Sequence, residues 1–436
     1  MNKIILIFLG TLFLFSEVNA ETFSSALSKA FKNNSELNAE RENINVSEQD
    51  LNIAKGSYLP TITLEGTESQ EETNKLTNQS GGDATISDVD PSTRSVSLTQ
   101  TLIDFGRGAD LAKNKIGIDL AKAKLLKKEQ NILYKTTEAY TGLISANEKL
   151  EINRANVDLL SRQVETDRIR LSRGQISLSD VSQSESSLAG AEAQYIKAQN
   201  DLLTSKLNYE NIIGSISDVQ SLDKSSIINY ELPGDLNSAI ELSKKNNPDL
   251  IIAKLEYEQS IKDKSIAKSN LAPTAKLSFE RSYTEDFSST YDEREKDTVK
   301  ATVSWPFFSG GKNIAKYKKN QSLENRKRLI LDSAVKQNQT DVASAWSNYQ
   351  SNRSLLNSVQ SQVKAAEIAN EGIAAEYNSG AGRTTLEVIQ SNSLLLNAQI
   401  SLADSERNYI LSQFNLLKSL GLLNSDYLKI RYLLVF

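Results

Sequence analysis

The chain has 436 residues, a formal net charge of −5, and neither cysteine nor histidine. These absences exclude disulfides, most zinc, copper and haem sites, and catalysis by a histidine base or a cysteine nucleophile. The mild negative charge gives no reason to expect nucleic acid as a partner. A serine–lysine or two-carboxylate enzyme would survive this filter, but the chain has no Gly-x-Ser-x-Gly turn. We therefore expect a protein that is not an enzyme and needs no cofactor.

Residues 1–20 have the pattern of a signal peptide for export. Lys3 precedes the uncharged run IILIFLGTLFLF, and the residues at 18–20 suit cleavage before Glu21. The alternative is an N-terminal membrane anchor, although this run is short for a span of ~20 residues. No cysteine follows the run, so we expect no lipid attachment there.

The first half of the chain, 21–214, begins with helix and continues with strands. Residues 22–57 contain few helix breakers and precede Pro60, which predicts helix. The apolar period then changes to two, which predicts a strand pair at about 60–103 around the polar loop 70–91. The apolar side of this pair contains Ile62, Leu64, Val96, Leu98 and Leu102.

A long helical hairpin is predicted for about 107–213. Apolar residues recur every seven positions at Leu143, Leu150, Val157, Val164 and Leu171. Sustained heptads favour a coiled coil over ordinary amphipathic helices, which remain the alternative. A helix of ~65 residues is about 100 Å long, which suits a rod or tube. Gly174 divides the segment into two antiparallel helices.

The second half, 235–421, repeats the first after a linker at 215–234. The phrase KNNSEL at 32–37 returns as KNNPDL at 245–250, and LIDFGR at 102–107 aligns with FFSGGK at 307–312. We therefore predict short helices, a strand pair at about 273–308 around the polar loop 285–297, and a helical hairpin at about 312–420 divided at Gly380. Residues 422–436 form a tail. This period is far longer than that of short solenoid repeats, so each copy is a structural half.

The predicted strands have one apolar and one polar face, as in a membrane β-barrel. Four strands cannot close a barrel, so we expect several copies of the chain to assemble one. Tyr283, Trp305 and Phe307 are then candidates for aromatic residues at the membrane interface. The alternative is a soluble sheet that packs its apolar face on helices.

These features together resemble the TolC-like outer-membrane efflux and secretion ducts over the whole mature chain. The resemblance rests on the tandem repeat, the proline after each short helix, and four matching turns. These turns contain Asp-Phe-Gly-Arg (104–107), Ser-Gly-Gly-Lys (309–312), Gly174 with Asp180-Val181, and Gly380 with Glu387-Val388.

The resemblance implies a mostly α fold with a β part. Long coiled-coil hairpins and four transmembrane strands per chain would build a homotrimeric duct with a twelve-stranded barrel and a periplasmic tunnel. The linker and the tail would supply a mixed equatorial region. The implied function is passive exit through the outer membrane for efflux or type I secretion, with a periplasmic adaptor and an inner-membrane transporter as partners. The missing lipidation cysteine favours the type I-capable branch, and a coiled-coil surface fibre or adhesin is the alternative from another class.

The resemblance also implies two sets of site residues near the hairpin turns, which we call the tip. In the family, two acidic residues per chain form a constriction, and the matching positions here are Glu387 and Gln390. Only one carboxylate is present, and Glu387 could alternatively be a solvated helix charge. A ring of three carboxylates would give modest cation preference.

The second implied set is a latch that keeps the tip closed. The matching positions are Ser179 and Asp180 on the first turn and Tyr377 and Arg383 around the second. Asp180 would accept from the tyrosine hydroxyl, and the arginine would donate to the aspartate or serine oxygens. The alternative is that these are ordinary exposed polar residues, with Asp180 favouring a helix start.

Overall fold

The computed structural model describes residues 21–72, 89–216, 218–224, 227, 230–288, 291–380 and 382–430. The predicted signal peptide at 1–20 lies outside these residues. The described chain is mostly helical with a small antiparallel sheet, which confirms the expected fold class at this level. Within these ranges, no helix is long and apolar enough to cross a membrane.

The helices and strands follow the same order in both halves of the chain. The first half contains α1 (Phe23–Asn33), α2 (Ser35–Gly56), β1 (Thr61–Glu68), β2 (Ser92–Ile103), α3 (Arg107–Ser172) and α4 (Leu178–Ile212). The second contains α5 (Leu236–Asn246), α6 (Pro248–Ser269), β3 (Thr274–Glu285), β4 (Glu293–Ser304), α7 (Lys312–Ser379) and α8 (Thr385–Ser419). The helices have 11, 22, 66 and 35 residues in the first half and 11, 22, 68 and 35 in the second.

The long helices pair as hairpins because a glycine ends each longer member. Gly174 has a φ of 71° and Gly380 a φ of 79°, values that favour glycine after a helix. In the second hairpin, the heptad residue Val363 and its neighbour Ala366 pack with Ala398 of α8. The predicted heptad seam is therefore a packed surface at this point.

The described chain separates into two compact units. The first unit comprises the chain up to Asn38, Lys128–Asn247, and the chain from Gln339 onward. Its core includes a buried cluster from α5, α7, α8 and the C-cap of α8, namely Ala239, Val342, Ala345, Leu416 and Leu420. The second unit comprises Ala39–Lys127 and Pro248–Asn338 and contains the sheet.

The sheet is antiparallel with the order β1-β2-β3-β4 in the described residues. Its register places Val96 opposite Leu64, and Val299 opposite Phe279, so the apolar residues share one face. The predicted loop 285–297 was too long, because β4 already begins at Glu293. The cause is that Glu293–Asp297 is fully charged and lacks the apolar alternation on which the strand prediction relied.

Candidate functional site

A buried carboxylate links the four long helices near their hairpin turns in the first unit. Asp167 of α3 is fully buried and accepts hydrogen bonds from Gln163 at 2.9 Å, Ser184 at 2.5 Å and the Tyr377 hydroxyl at 2.7 Å. The Tyr377 hydroxyl also lies 3.0 Å from that of Thr385. These partners lie on α3, α4, α7 and α8, and we call the five residues the Asp167 network.

Arg170 adds a positive charge beside this network. Its guanidinium lies 4.0 Å from the centre of the Tyr377 ring and donates a hydrogen bond of 3.2 Å to the Tyr377 carbonyl oxygen. Burial, reinforced by the bond to Asp167 and opposed by Thr385, raises the pKa of the Tyr377 hydroxyl. This hydroxyl is therefore a protonated donor at neutral pH, and it links the first half of the chain to the second.

The structure does not bring the four predicted latch residues together in one chain. The Asp180 carboxylate instead accepts from the backbone N–H of Ser177 at 2.9 Å and from its hydroxyl at 2.7 Å, in a capping box that begins α4. The hydrogen bonds from Ser177 lower the pKa of Asp180. Ser179 is exposed. Tyr377 donates its hydrogen bond to Asp167 instead, a residue that was not among the predicted latch residues.

The predicted gate residue Glu387 is held by a similar cap at the start of α8. Its carboxylate accepts from the Thr384 backbone N–H at 2.8 Å, from the Thr384 hydroxyl at 3.0 Å, and from Arg383 at 2.9 Å. Arg383 also donates to Glu376 at 2.6 Å. The Thr384 N–H and then Arg383 lower the pKa of Glu387, so it is charged at neutral pH. Gln390 is exposed one helical turn farther along α8.

The second unit offers a sheet with an exposed apolar face. Leu64, Val299 and Val303 are 77%, 72% and 73% exposed. Leucine and valine are among the residues most often buried, so several exposed on one face are informative. A contiguous exposed apolar surface indicates contact with a protein or a membrane.

The three predicted interface aromatics lie on or beside this face. Tyr283 pairs with Arg94 and Glu295 in the register, close to the loop end of the sheet. Trp305 and Phe307 follow β4 at its other end, with their ring centres 5.5 Å apart, and the Trp305 indole N–H donates to the Leu271 carbonyl oxygen at 3.1 Å. Phe307 is 82% exposed. Aromatic residues thus lie at both ends of the apolar face.

Sequence reasoning missed Asp167 although a signal was present. Ala146, Asn153 and Leu160 precede Asp167 at seven-residue intervals, and all four are buried. They form a second heptad seam beside the one that carries Val164. A carboxylate on such a seam indicates a buried polar contact, since coiled-coil seams are otherwise apolar.

A second charged cluster attaches the linker to the helices of the first unit. The Lys224 ammonium donates to Glu148 of α3 at 2.7 Å and also to Glu406 of α8. Burial disfavours the charged form of Lys224, but the two carboxylates outweigh burial and raise its pKa. The stability that Lys224 contributes through these ion pairs is therefore present below the unfolded lysine pKa of ~10.4. It is lost only as pH rises through the higher folded pKa of Lys224. Neutral pH leaves this cluster intact.

Comparison with known proteins gives consistent matches over both halves. A model of the family described as outer membrane efflux protein matches residues 26–215 and 239–422. The outer membrane efflux protein BepC of Brucella suis biovar 1 (strain 1330) is 25% identical over 421 residues, which cover 96% of this chain and 89% of BepC. The outer membrane protein TolC of Escherichia coli (strain K12) is 23% identical over 447 residues, which cover 98% and 88%.

A solved structure gives the same result for the fold. The outer membrane protein VceC from Vibrio cholerae superposes with a TM-score of 0.76 at 17% identity, covering 92% of this chain and 96% of VceC. The likeness supports the fold at the coarse level, a mostly helical chain with a small antiparallel sheet.

Proposed function

Because this chain belongs to the outer membrane efflux protein family, we propose that it is an exit duct in the outer membrane of a Gram-negative cell. It serves efflux or type I secretion and passes small molecules or proteins from the periplasm to the exterior. The matches at BepC and TolC support this role, and they give the fibre or adhesin alternative no support. We infer that the chain is not an enzyme.

The proposed active form is a homotrimer. Each chain contributes four strands to a twelve-stranded barrel in the outer membrane, and α3, α4, α7 and α8 form a periplasmic tunnel. The matching element lengths of the two halves support a tandem repeat, which lets three chains build a wall with near sixfold symmetry. Residues 1–20 are removed as a signal peptide, and 215–234 with 422–436 supply the equatorial region.

Energy for transport comes from partners in this proposal. An inner-membrane transporter and a periplasmic adaptor dock at the tip and open it. Glu387 and Gln390 line the constriction, where three copies of the carboxylate attract cations. Arg383 partly neutralises each carboxylate, because it lies 2.9 Å away.

A polar latch holds the tip closed until the partners dock. It comprises Ser179, Asp180, Tyr377 and Arg383, and we add Asp167 because it binds Tyr377 within the chain. The exposed members contribute little each, because water and salt screen surface ion pairs. Leaving a buried hydrogen-bonding group without one partner costs about 1–3 kcal/mol, so the Tyr377–Asp167 bond is the strongest candidate link.

The observation that carries the proposal is the exposed apolar face of the sheet. Val303 belongs to this face, and Thr302 beside it belongs to the polar face. Val303→Arg puts a charge on the lipid-facing side of the sheet, where the cost rises from about 0–1 kcal/mol near the interface to ~2–4 kcal/mol at mid-bilayer, and should reduce the yield of trimer. The measurement is the amount of heat-sensitive trimer in the outer-membrane fraction.

Thr302→Arg is the matched control, since it adds the same side chain to the same strand on the face that we assign to the lumen. We expect it to leave the yield of trimer close to that of the natural protein. Equal losses for the two variants would show that the faces are assigned wrongly.

A further inference from the structure

The charges of β4 separate by sign between its two faces. The strand begins Glu293-Arg294-Glu295-Lys296-Asp297, and side chains alternate across a strand. The three carboxylates therefore lie on one face and the two cations on the other. Lys300 follows at the same parity as Lys296. A shift of one residue in register would exchange the two sets completely.

The pairing register shows what surrounds each set. The carboxylates lie on the face of Phe279 and Val299, and the cations lie on the opposite, polar face. That polar face is otherwise dominated by serine and threonine. Its charged residues within the four strands are Lys276, Arg294, Lys296 and Lys300 against Glu65 and Glu280. Four cations against two carboxylates leave an excess of two positive charges per chain.

The two faces also differ in how their charges are paired. On the carboxylate face, Arg281 lies 3.6 Å from Glu295 and 3.8 Å from Asp297. On the polar face, the described residues show no carboxylate within 4 Å of Lys296 or Lys300, and both lysines are exposed.

We propose that the cations of the polar face form an anion-attracting lining of the exit pore. The inference rests on the proposed function, which assigns this face to the lumen. Three copies of the chain would place an excess of six positive charges in one barrel, and charges on pore walls concentrate counterions. The solutes favoured at this end are anionic, and they need no specific pocket because the lysines are mobile point charges. This lining is opposite in sign to the Glu387 constriction, so the proposed duct has two electrostatic filters of opposite preference.

Block by a multivalent anion tests the lining separately from the tip. The purified trimer is inserted in a planar bilayer, and inositol hexakisphosphate is added on the side of the polar loops 70–91 and 285–297, which we assign to the cell exterior. We expect it to reduce the conductance of the natural protein. The variant Lys296→Gln/Lys300→Gln removes six positive charges per trimer and should require at least about tenfold more blocker, equivalent to about 1.4 kcal/mol.

The same strand supplies the matched control. Glu293→Gln/Glu295→Gln also changes two charges per chain, but on the other face, and should shift the blocking concentration far less. Glu280→Gln, which removes a carboxylate from the polar face, should strengthen the block. For the natural protein, the block should weaken as salt is raised, because screening shortens the range of the lining.

The outcomes separate the lining from the function on which it rests. A conducting natural protein whose block is the same in the lysine variant would overturn the lining and leave the duct intact. Equal and opposite shifts from the two double variants would also overturn it. The net charge of the chain, rather than the face on which the charges lie, would then explain the block. Inserted trimers that carry no current either as the natural protein or as Tyr377→Phe would overturn the duct and the lining together.

Discussion

At Tyr377, one hydroxyl group connects the two halves of the chain. Removing it in Tyr377→Phe leaves the buried Asp167 with one donor fewer. This should destabilise the closed tip relative to the open one by about 1–3 kcal/mol. A shift of this size changes a closed–open equilibrium about 5- to 150-fold. We expect a larger mean conductance in planar bilayers, together with an unchanged yield of trimer.

Ser182→Ala is the control for this variant, because Ser182 is exposed on α4 and lies outside the proposed latch, so its loss should leave conductance unaltered. The pair Asp180→Ala/Arg383→Ser tests the exposed part of the proposed latch. If that double variant opened the tip while Tyr377→Phe did not, the Asp167 network would be structural and the exposed residues would form the latch.

Glu387 combines a cap, an ion pair and a proposed gate. Arg383→Ser leaves its carboxylate without a neighbouring cation and should increase the preference for potassium over chloride. Glu387→Gln should decrease that preference. Both preferences are measured as reversal potentials in a salt gradient. An identical permeability ratio of potassium to chloride for the two variants would show that the gate is not at this position.

The pH dependence of this preference follows from the same contacts. The folded pKa of Glu387 is below its ordinary value of ~4.3, because the Thr384 N–H and Arg383 stabilise the carboxylate. The carboxylate and its cap are therefore intact above the unfolded pKa and are lost as pH falls through the lower folded pKa. We expect cation preference to be lost only below the ordinary pKa of a glutamate, and loss of the preference well above that pKa would contradict the assignment.

At the scale of the helices and strands, most elements could be predicted from the periodic patterns of apolar residues. The heptads from Leu143 to Leu171 predicted a long α3, and the prolines at 60 and 273 marked the change to strands. Asp167 was missed because a heptad identifies a seam but does not show which residues of four helices meet across it. The start of β4 was missed because alternation of charge sign, rather than of hydropathy, marks the faces there.

The end of α8 depends on one glycine. Gly421 has a φ of 78°, and a Cβ there would lie 2.2 Å from the Asn246 carbonyl oxygen. Gly421→Ala therefore combines backbone strain of about 1–3 kcal/mol with a collision against the end of α5. We expect a lower melting temperature and less folded protein.

Gly214 is the matched position in the first half and separates the two effects. Its φ is 120°, but a Cβ would meet nothing within 4 Å in the described residues. Gly214→Ala should therefore show strain alone and lose less stability than Gly421→Ala. Equal losses, measured by thermal unfolding, would mean that the close approach to Asn246 contributes nothing.

At the scale of the whole molecule, the family matches and the repeated element order support an assembly that no single chain can complete. One chain offers four strands in the described residues, whereas a small closed barrel needs about eight. Homotrimer formation is therefore essential to the proposed duct. In the proposed homotrimer, two similar halves per chain would line the wall with six similar segments.

Conductance of the purified protein across a planar bilayer tests the duct most directly. We expect trimers to insert and to give discrete, small conductance steps that increase when Tyr377→Phe weakens the closed tip. The Tyr377→Phe variant matters because a closed natural tip and a chain without a pore would both give little current. Trimers that insert and carry no current in either form would contradict the proposed duct.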